Sequence, residues 1–433
     1  MFASVNIRDE ESFRDADPLL PSHYLSLSVI LGLMGAFYWA IRGSAGYGGS
    51  QGALLAGLGW ATLWYYFSCL GGASRWRMYG SARMIAAITF GVAFGGLTGY
   101  GVYNAWVQGN FYENFPEGAR AIAPWTGYAM LFLCGLHWGG TAGAFMAWVA
   151  PRSPVPWWGW LARIVLGFVG MRLAAALVTA LPDLFLPFYA EGIYDVMEYG
   201  TVQRAYGSVI NINSHVGLFL GLLVFEIARR DWRAVGVMCV MALGFALSFS
   251  VGAVWQTMHG SELQLDWWKN WEMSVGLGGG LTLGLVFYLF NKPVAAVPQP
   301  VTRKERIWGA GFPIWFASGL TLMNAYKGFV VVHNLDWPVS VRVVVSIIIA
   351  IPLTAALAWF VHGAYRNPGA LPLPLWVCGA VQLILIVAGY VVSVNIPIRP
   401  WNTLLLALYT GYIGVSALMV LFMRRCRAAC QSS

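Results

Sequence analysis

The chain has few charged residues and no long polar segment. Asp, Glu, Lys and Arg make up 10% of its 433 residues, and hydrophobic residues make up 58%. A soluble domain has about 25% charged residues. The length would allow two or three soluble domains, but no polar stretch is long enough to form one. Composition therefore predicts a single domain embedded in a membrane.

Several signatures of soluble catalysis are also missing. There is no His-Glu-x-x-His, Cys-x-x-Cys or Gly-x-Ser-x-Gly sequence and no phosphate-binding loop. This argues against ATP-driven transport within this chain and against the common hydrolase types, and no cofactor or metal signature is present. None of the six cysteines lies in a predicted outer loop, so we expect no disulfides.

Twelve apolar segments are present, most of them near or above the ~20 residues that a helix needs to cross a bilayer core. They lie at 24–42, 50–69, 83–108, 124–149, 159–181, 206–228, 233–257, 270–290, 308–332, 341–362, 371–394 and 402–423. Backbone groups in lipid must be hydrogen-bonded internally, and these segments are too long and too uniformly apolar for barrel strands. The sequence predicts an all-α polytopic membrane protein of about twelve transmembrane helices.

Lysine and arginine are concentrated in alternate gaps between these segments. The gaps after even-numbered segments and the C-terminus hold Arg75, Arg77, Arg152, Arg229, Arg230, Arg233, Lys292, Arg303, Lys304, Arg306, Arg366, Arg424, Arg425 and Arg427. Because cytoplasmic loops are enriched in Lys and Arg, we expect both termini to be cytoplasmic and the protein to span the cell membrane. The net charge of +8 then indicates contact with membrane lipid headgroups rather than with nucleic acid.

Glycine patterns and one linker suggest how the chain is divided. Leu31-Gly32 with Gly35 matches Leu166-Gly167 with Gly170, and Gly135, Gly139 and Gly143 match Gly276, Gly280 and Gly284. These matches suggest parallel four-helix repeats, while glycine at every fourth position also lets helices pack closely. We expect a cytoplasmic tail (1–23), an eight-helix bundle (24–290), a cytoplasmic linker (291–307), a four-helix bundle (308–423) and a cytoplasmic tail (424–433).

Polar side chains gather at the predicted extracytoplasmic ends of the segments. Such residues are costly in lipid, so they are expected to face the bundle interior. We predict a polar cavity, open to the extracytoplasmic side, that binds a small-molecule solute. Its expected binding residues are Arg42, Asn104, Gln108, Arg172, Asn211, His215, Gln256, Trp271, Glu272, Asn324 and Lys327.

Arg172 is the deepest charge in the predicted bundle. Arginine does not lose its proton in proteins, so Arg172 needs an anionic partner or a wet cavity, and Glu272 is the partner that we expect. The two residues either form a structural ion pair, or Arg172 binds an anionic or hydroxyl-rich ligand. Misplacement of the fifth segment is the third explanation.

The segment 255–272 is the densest polar and aromatic stretch of the chain. Its tryptophans suit either an interfacial aromatic belt or the rim of a ligand site. His259, Glu262 and Asp266 are candidate metal ligands, although their spacing matches no known motif. Glu262, Asp266 and Glu272 are also candidate acid/base catalysts, with His259 as a base or ligand.

Two further features each allow two interpretations. The loop that begins at Arg42 is rich in glycine and forms either an anion-binding nest or a flexible turn. His137, near the middle of the fourth segment, is either a buried, hydrogen-bonded histidine or part of a ligand site or proton relay.

The sequence favours two functions. The first is secondary transport of a small polar solute, sugar-like or anionic, in which Arg172 and Lys327 bind the solute and Glu272 or His215 carries a coupling proton. The second is a membrane-embedded enzyme that acts on a lipid-linked or glycan substrate at the extracytoplasmic face. One-sided polarity supports the enzyme, because transport needs a path on both sides.

Overall fold

A computed structural model describes residue 19 and residues 21–43, 49–68, 76–112, 120–196, 200–263, 265–295, 302–317, 319–320 and 338–366. Within these ranges, six helices are long and apolar enough to cross a membrane: Pro21–Ala40, Pro124–Ala147, Trp157–Ala180, Val202–Ala228, Trp232–Met258 and Trp267–Phe290. This part of the chain is almost entirely helical, which confirms the prediction of an all-α, membrane-embedded protein.

The longer helices are labelled in chain order. They are α1 (Pro21–Gly43), α2 (Gly49–Ser68), α3 (Arg83–Gly95), α4 (Gly101–Val107), α5 (Pro124–Ala147), α6 (Trp157–Ala180), α7 (Gly200–Ala228), α8 (Trp232–Gly252), α9 (Trp267–Phe290) and α10 (Val339–Arg366). Short turns cover Pro182–Phe185, Tyr189–Glu191, Ile193–Val196, Ala253–Met258 and Arg303–Glu305, and a π-helical turn covers Arg306–Gly311. Two short strands, β1 (Trp76–Arg77) and β2 (Pro293–Ala295), pair in antiparallel fashion.

One predicted helix is broken. The third segment, expected as a continuous helix over 83–108, forms α3 and α4, separated by irregular backbone at 96–100. Gly95, Gly96 and Gly99 lie in or beside this break, and glycine weakens a helix by about 1 kcal/mol per residue. The last two predicted segments, and most of the ninth, lie outside the described residues, so the count of twelve stays a prediction.

Aspartate side chains cap the starts of two core helices. The Asp231 carboxylate accepts a hydrogen bond from the Ala234 amide at the start of α8 (3.1 Å), and Asp266 accepts one from the Lys269 amide at the start of α9 (3.0 Å). Such caps satisfy amides that have no partner within the helix. Asp266, a candidate catalyst in the sequence, therefore has a structural role at this helix terminus.

Glycines bring pairs of helices into direct backbone contact. A Cβ atom on Gly276 of α9 would overlap the carbonyl oxygen of Gly35 on α1. Gly139 of α5 lies equally close to the Met241 carbonyl on α8, and Gly170 of α6 lies against Gly217 of α7. These contacts are the close helix packing that small residues allow in membranes.

A four-helix repeat would require the two matching glycine rows to contact equivalent helices, and they do not. The row of α5 packs on α8, the seventh segment, whereas the row of α9 packs on α1, the first segment. Two tryptophans near the starts of α5 and α9 also differ, because Trp125 is 70% exposed and Trp271 is fully buried. The repeat therefore gains no support from the packing of the first eight segments.

Aromatic rings fill the centre between the glycine contacts. Trp39 packs against Trp60, Trp138, Phe245 and Phe249, at ring-centroid distances of 5.1–6.3 Å. Gly279 and Gly95 make room for these rings, because a Cβ atom on either would meet a ring of this cluster. The bundle core is thus built from large flat side chains that rest on glycine backbone.

The connections between helices meet at two opposite ends of the bundle. At one end, the backbone amide of Arg152 donates to Asp231 (2.8 Å), and β1 pairs with β2. At the other end, Arg120 forms an ion pair with Glu191. The first set belongs to the gaps that are rich in Lys and Arg, and the second belongs to gaps that alternate with them. The structure therefore has the alternation expected for antiparallel spans.

We predict that Gly276→Ala destabilises the bundle by about 1–3 kcal/mol of unfolding free energy, because the added methyl group overpacks the α1–α9 contact. Thermal unfolding of the detergent-solubilised protein measures the change. Gly207→Ala is the matched control, since a Cβ atom there meets nothing within 4 Å. Equal stability of the two variants would contradict the proposed role of the contact.

Candidate functional site

A small group of neutral polar side chains lies at the end opposite the basic gaps. The Gln256 amide oxygen accepts hydrogen bonds from Gln108 (3.4 Å), and it lies 3.1 Å from Nε2 of His259. Gln108 follows α4, whereas Gln256 and His259 come after α8. The structure thus brings together three residues that the sequence predicted for the site.

Two amides of this region are buried without full hydrogen bonding. Asn104, one turn before Gln108 on α4, is 2% exposed, and neither polar atom of its side chain has a partner among the described residues. Nε2 of Gln256 also lacks one there, and its side chain is fully buried. A buried polar group without a hydrogen bond costs about 1–3 kcal/mol. Such groups therefore suggest a place for a polar ligand or water.

The expected ion pair between Arg172 and Glu272 is not the one that forms. The Glu272 carboxylate accepts from Lys269, one turn earlier on α9, and both side chains are nearly buried. Lys269 neutralises Glu272 at this end of the bundle. The spacing of three residues along one helix face is enough to explain the pair.

The tryptophans of 255–272 differ in their environments. Trp271 is fully buried, donates to the Phe249 carbonyl (3.1 Å) and packs edge-on against Tyr100 (4.9 Å). Trp255 is 38% exposed and stacks on Trp267. Trp271 is therefore part of the core, and Trp255 is placed to meet lipid or ligand.

The break between α3 and α4 carries its own polar contacts. Thr98 donates to the Gly95 carbonyl (2.9 Å) and accepts from the Trp138 indole (3.0 Å). Asn211 of α7 donates to the carbonyl of Leu97 (3.3 Å). Side chains from two other helices, Trp138 on α5 and Asn211 on α7, thus form hydrogen bonds to the interrupted segment.

Two histidines face each other beside this break. His137 of α5 and His215 of α7 have ring centroids 4.7 Å apart, and Phe94 of α3 packs against both rings. Nδ1 of His215 lies 2.8 Å from the Asn211 carbonyl, so that nitrogen carries a proton. His137 is fully buried, and neither ring nitrogen has a hydrogen bond of good geometry to a described residue. His137 is therefore a buried histidine whose polar neighbour is His215.

The buried arginine of α6 is Arg163, not Arg172. Arg163 is 1% exposed, whereas the described residues leave the Arg172 side chain exposed. Nine residues rotate a helix by about half a turn beyond two full turns, so the two arginines lie on opposite faces. Gly167 and Gly170 mark the face that packs on α7, and Arg163 shares it.

Arg163 belongs to a charge network at the basic end. Its guanidinium donates to the Glu226 carboxylate (2.6 and 2.7 Å), which Arg229 also contacts (3.3 Å). Rings of Trp160 and Phe225 pack 4.4 and 5.1 Å from the guanidinium carbon. Arg229 lies three residues after Glu226, a spacing that brings side chains together on one helix face. Arg163 was not predicted from the sequence.

A second network closes the same end. Arg77 donates to the Asn291 carbonyl (2.8 Å), and the Asn291 side chain accepts from the Tyr79 amide (2.8 Å) and donates to Ser68 (2.9 Å). Burial raises the pKa of the Tyr79 hydroxyl to about 12, so it stays neutral. These contacts join the gap after α2 to the gap after α9.

The remaining predicted residues are either exposed or lie outside the described residues. Glu262 is exposed. The side chain of Arg42 and all of Asn324 and Lys327 lie outside the described residues. Across the described ranges, no three His, Cys, Asp or Glu side chains are grouped as metal ligands. His259, Glu262 and Asp266 are therefore not gathered as a metal centre.

Comparison of the chain with protein-family models, with curated proteins and with solved structures gives no match.

We predict that Arg163→Met lowers the unfolding free energy by about 3–5 kcal/mol, because Glu226 loses its buried partner. Arg172→Met, on the exposed face of the same helix, is expected to change it by about 0.5 kcal/mol or less. Thermal and denaturant unfolding in detergent measure both. If Arg172→Met is the more damaging variant, the assignment of the two faces is wrong.

Proposed function

We propose that the chain is a secondary transporter of a small polar solute, with a polar cavity that opens to the extracytoplasmic side. It would cross the cell membrane with about twelve helices and with both termini in the cytoplasm. The supporting features are the apolar segments and the bias of Lys and Arg toward one end. The cavity would lie at the opposite end, where Gln108, Gln256 and Asn104 are found.

The broken third segment supports transport. Discontinuous helices often form solute sites in transporters, because the break exposes backbone groups within the membrane. Here the break at 96–100 lies next to Asn211, His137 and His215. Along α4, Asn104 lies between this break and Gln108, so polar groups extend from the outer end toward the histidines.

Asn104 is the observation that carries the proposal. Its amide has a donor and an acceptor, and both are buried without partners among the described residues. A side chain retained only for stability would be expected to have hydrogen bonds. A solute with hydroxyl groups satisfies both atoms at once.

The chemistry of the described site favours a neutral, hydroxyl-rich solute over an anion. The amides of Asn104, Gln108 and Gln256 can both donate and accept hydrogen bonds. Lys269, a cation at this end of the bundle, is neutralised by Glu272. Arg120 pairs with Glu191, the described residues leave Arg172 exposed, and Lys327 lies outside the described residues.

The networks at the basic end fit a closed inner gate. Arg163 with Glu226, and Arg77 with Asn291, join separate helices across that end. In an alternating-access cycle, these contacts would break when the cavity opens to the cytoplasm. The π-helical turn Arg306–Gly311 is an irregular element of the kind often found at functional sites.

The alternative is a membrane-embedded enzyme that acts on a lipid-linked or glycan substrate from the extracytoplasmic side. The closed basic end favours it, because an enzyme needs no second opening. In that case Glu262 and His259 are the candidate catalysts, since Asp266 caps α9 and Glu272 is paired. Mass spectrometry of lipids from cells with and without the protein would detect its product.

We predict that Asn104→Leu abolishes solute uptake and also raises thermal stability. Leucine has a similar volume and removes an uncompensated amide that costs about 1–3 kcal/mol. Uptake is measured in proteoliposomes with a panel of radiolabelled monosaccharides and polyols, and stability by thermal unfolding. A purely structural residue would give the opposite change in stability.

The matched control compares two glutamines. Gln256→Leu changes a buried site residue and is expected to reduce uptake at least tenfold, which corresponds to about 1.4 kcal/mol. Gln203→Leu changes an exposed residue of α7 and should leave uptake unaltered. Absence of uptake by the wild-type protein for every solute of the panel would reject the proposal for this class of solute.

A further inference from the structure

The pair His137–His215 is the least explained polar feature of the bundle. Both side chains are buried, at 0% and 7% exposure, on neighbouring helices near the middle of α5 and α7. The ring of His137 has His215 as its polar neighbour. Burial of imidazole nitrogens without hydrogen bonds is unfavourable, so packing alone does not account for the pair.

The two imidazole rings can together bind one additional proton. Nδ1 of His215 donates to the Asn211 carbonyl, which leaves Nε2 as an acceptor while the ring is neutral. If one ring gains a proton, the other neutral ring can accept a hydrogen bond from it, and the charge is shared. A second proton would place two like charges within 4.7 Å, which is strongly disfavoured.

The surroundings of the pair contain few other groups that titrate. Phe94 packs on both rings from α3, Cys134 lies one turn before His137 on α5, and Tyr103 of α4 interacts with Cys134. In the described ranges, neither histidine forms a salt bridge with a carboxylate. A charge gained at this position therefore belongs to the histidine pair.

We propose that His137 and His215 together form a binding site for a single proton beside the break between α3 and α4. The proton comes from water at the extracytoplasmic end, and the charge of the pair rises by one when it binds. This inference rests on the proposed transport function, in which the bound proton is the coupling ion. Because Asn211 contacts both the break and His215, proton binding and the conformation of the break are linked.

The test is a titration of protein labelled with ¹⁵N-histidine in lipid nanodiscs, with the proton itself as the probe. We expect wild-type protein to take up about one proton per pair as the pH is lowered across the range in which the protein stays folded, because histidine is the side chain suited to binding one proton reversibly. Both rings should change together, with a ¹⁵N–¹⁵N coupling across the shared hydrogen bond. His137→Gln and His215→Gln should each remove this joint transition and the coupling.

Two controls keep the result interpretable. His362→Gln, at an exposed position of α10, should leave the joint transition intact. His137→Met serves if the Gln variant does not fold. Independent titration of the two rings, or neutrality of both over the whole range in which the protein is folded, overturns the inference.

The titration requires no solute, so the two proposals can fail separately. A pair that binds one proton, in a protein that accumulates no solute, preserves the proton site and rejects transport. Solute uptake that persists without any titration of the pair preserves transport and rejects the proton site.

Discussion

Direct contact between helix backbones is the constraint on which the rest of this bundle depends. At Gly35 with Gly276, and at Gly170 with Gly217, no side chain separates the helices. Apolar side chains gain little by leaving lipid for protein, so helices in membranes associate largely through close packing and internal hydrogen bonds. The glycine contacts fix the distances between helices, and those distances determine which large rings fit between them.

The aromatic core and the polar site follow from this arrangement. Gly95 makes room for the Trp138 ring, and the Trp138 indole donates to Thr98 within the irregular backbone after α3. The interruption of the third segment is thereby stabilised from a neighbouring helix. On the α4 side of the break, Asn104 is buried without hydrogen bonds to described residues, and on the α3 side the histidine pair has no charged partner among them. A rigid core thus surrounds a small region whose polar groups are incompletely satisfied.

The sequence was sufficient for the class of fold and for many helix limits, because long apolar runs and capping aspartates act locally. It was also sufficient to predict that Gln108 and Gln256 lie close together, since both lie at helix ends opposite the basic gaps. It was insufficient to predict the environment of Arg172, because hydropathy gives the depth of a residue along a helix but not the helix face on which the residue lies. The signal for Arg163 was present: Gly159, Gly167 and Gly170 recur on one face, and Arg163 lies on that face. The glycines at 95, 96 and 99 likewise marked the break, whereas the facing of His137 and His215 depends on tertiary packing.

The contact between α1 and α9 also determines when the bundle can be completed during synthesis. Gly35 and Gly276 are separated by 241 residues along the chain (276 − 35). At about 5–20 residues per second, the ribosome needs on the order of tens of seconds to make that interval. During this time the glycine face of α1 is not yet covered by α9. The strand Trp76–Arg77 likewise cannot pair until Pro293–Ala295 has been synthesised. Biogenesis of this protein thus includes a period in which the insertion machinery, or lipid, must occupy the surface that the ninth helix later covers.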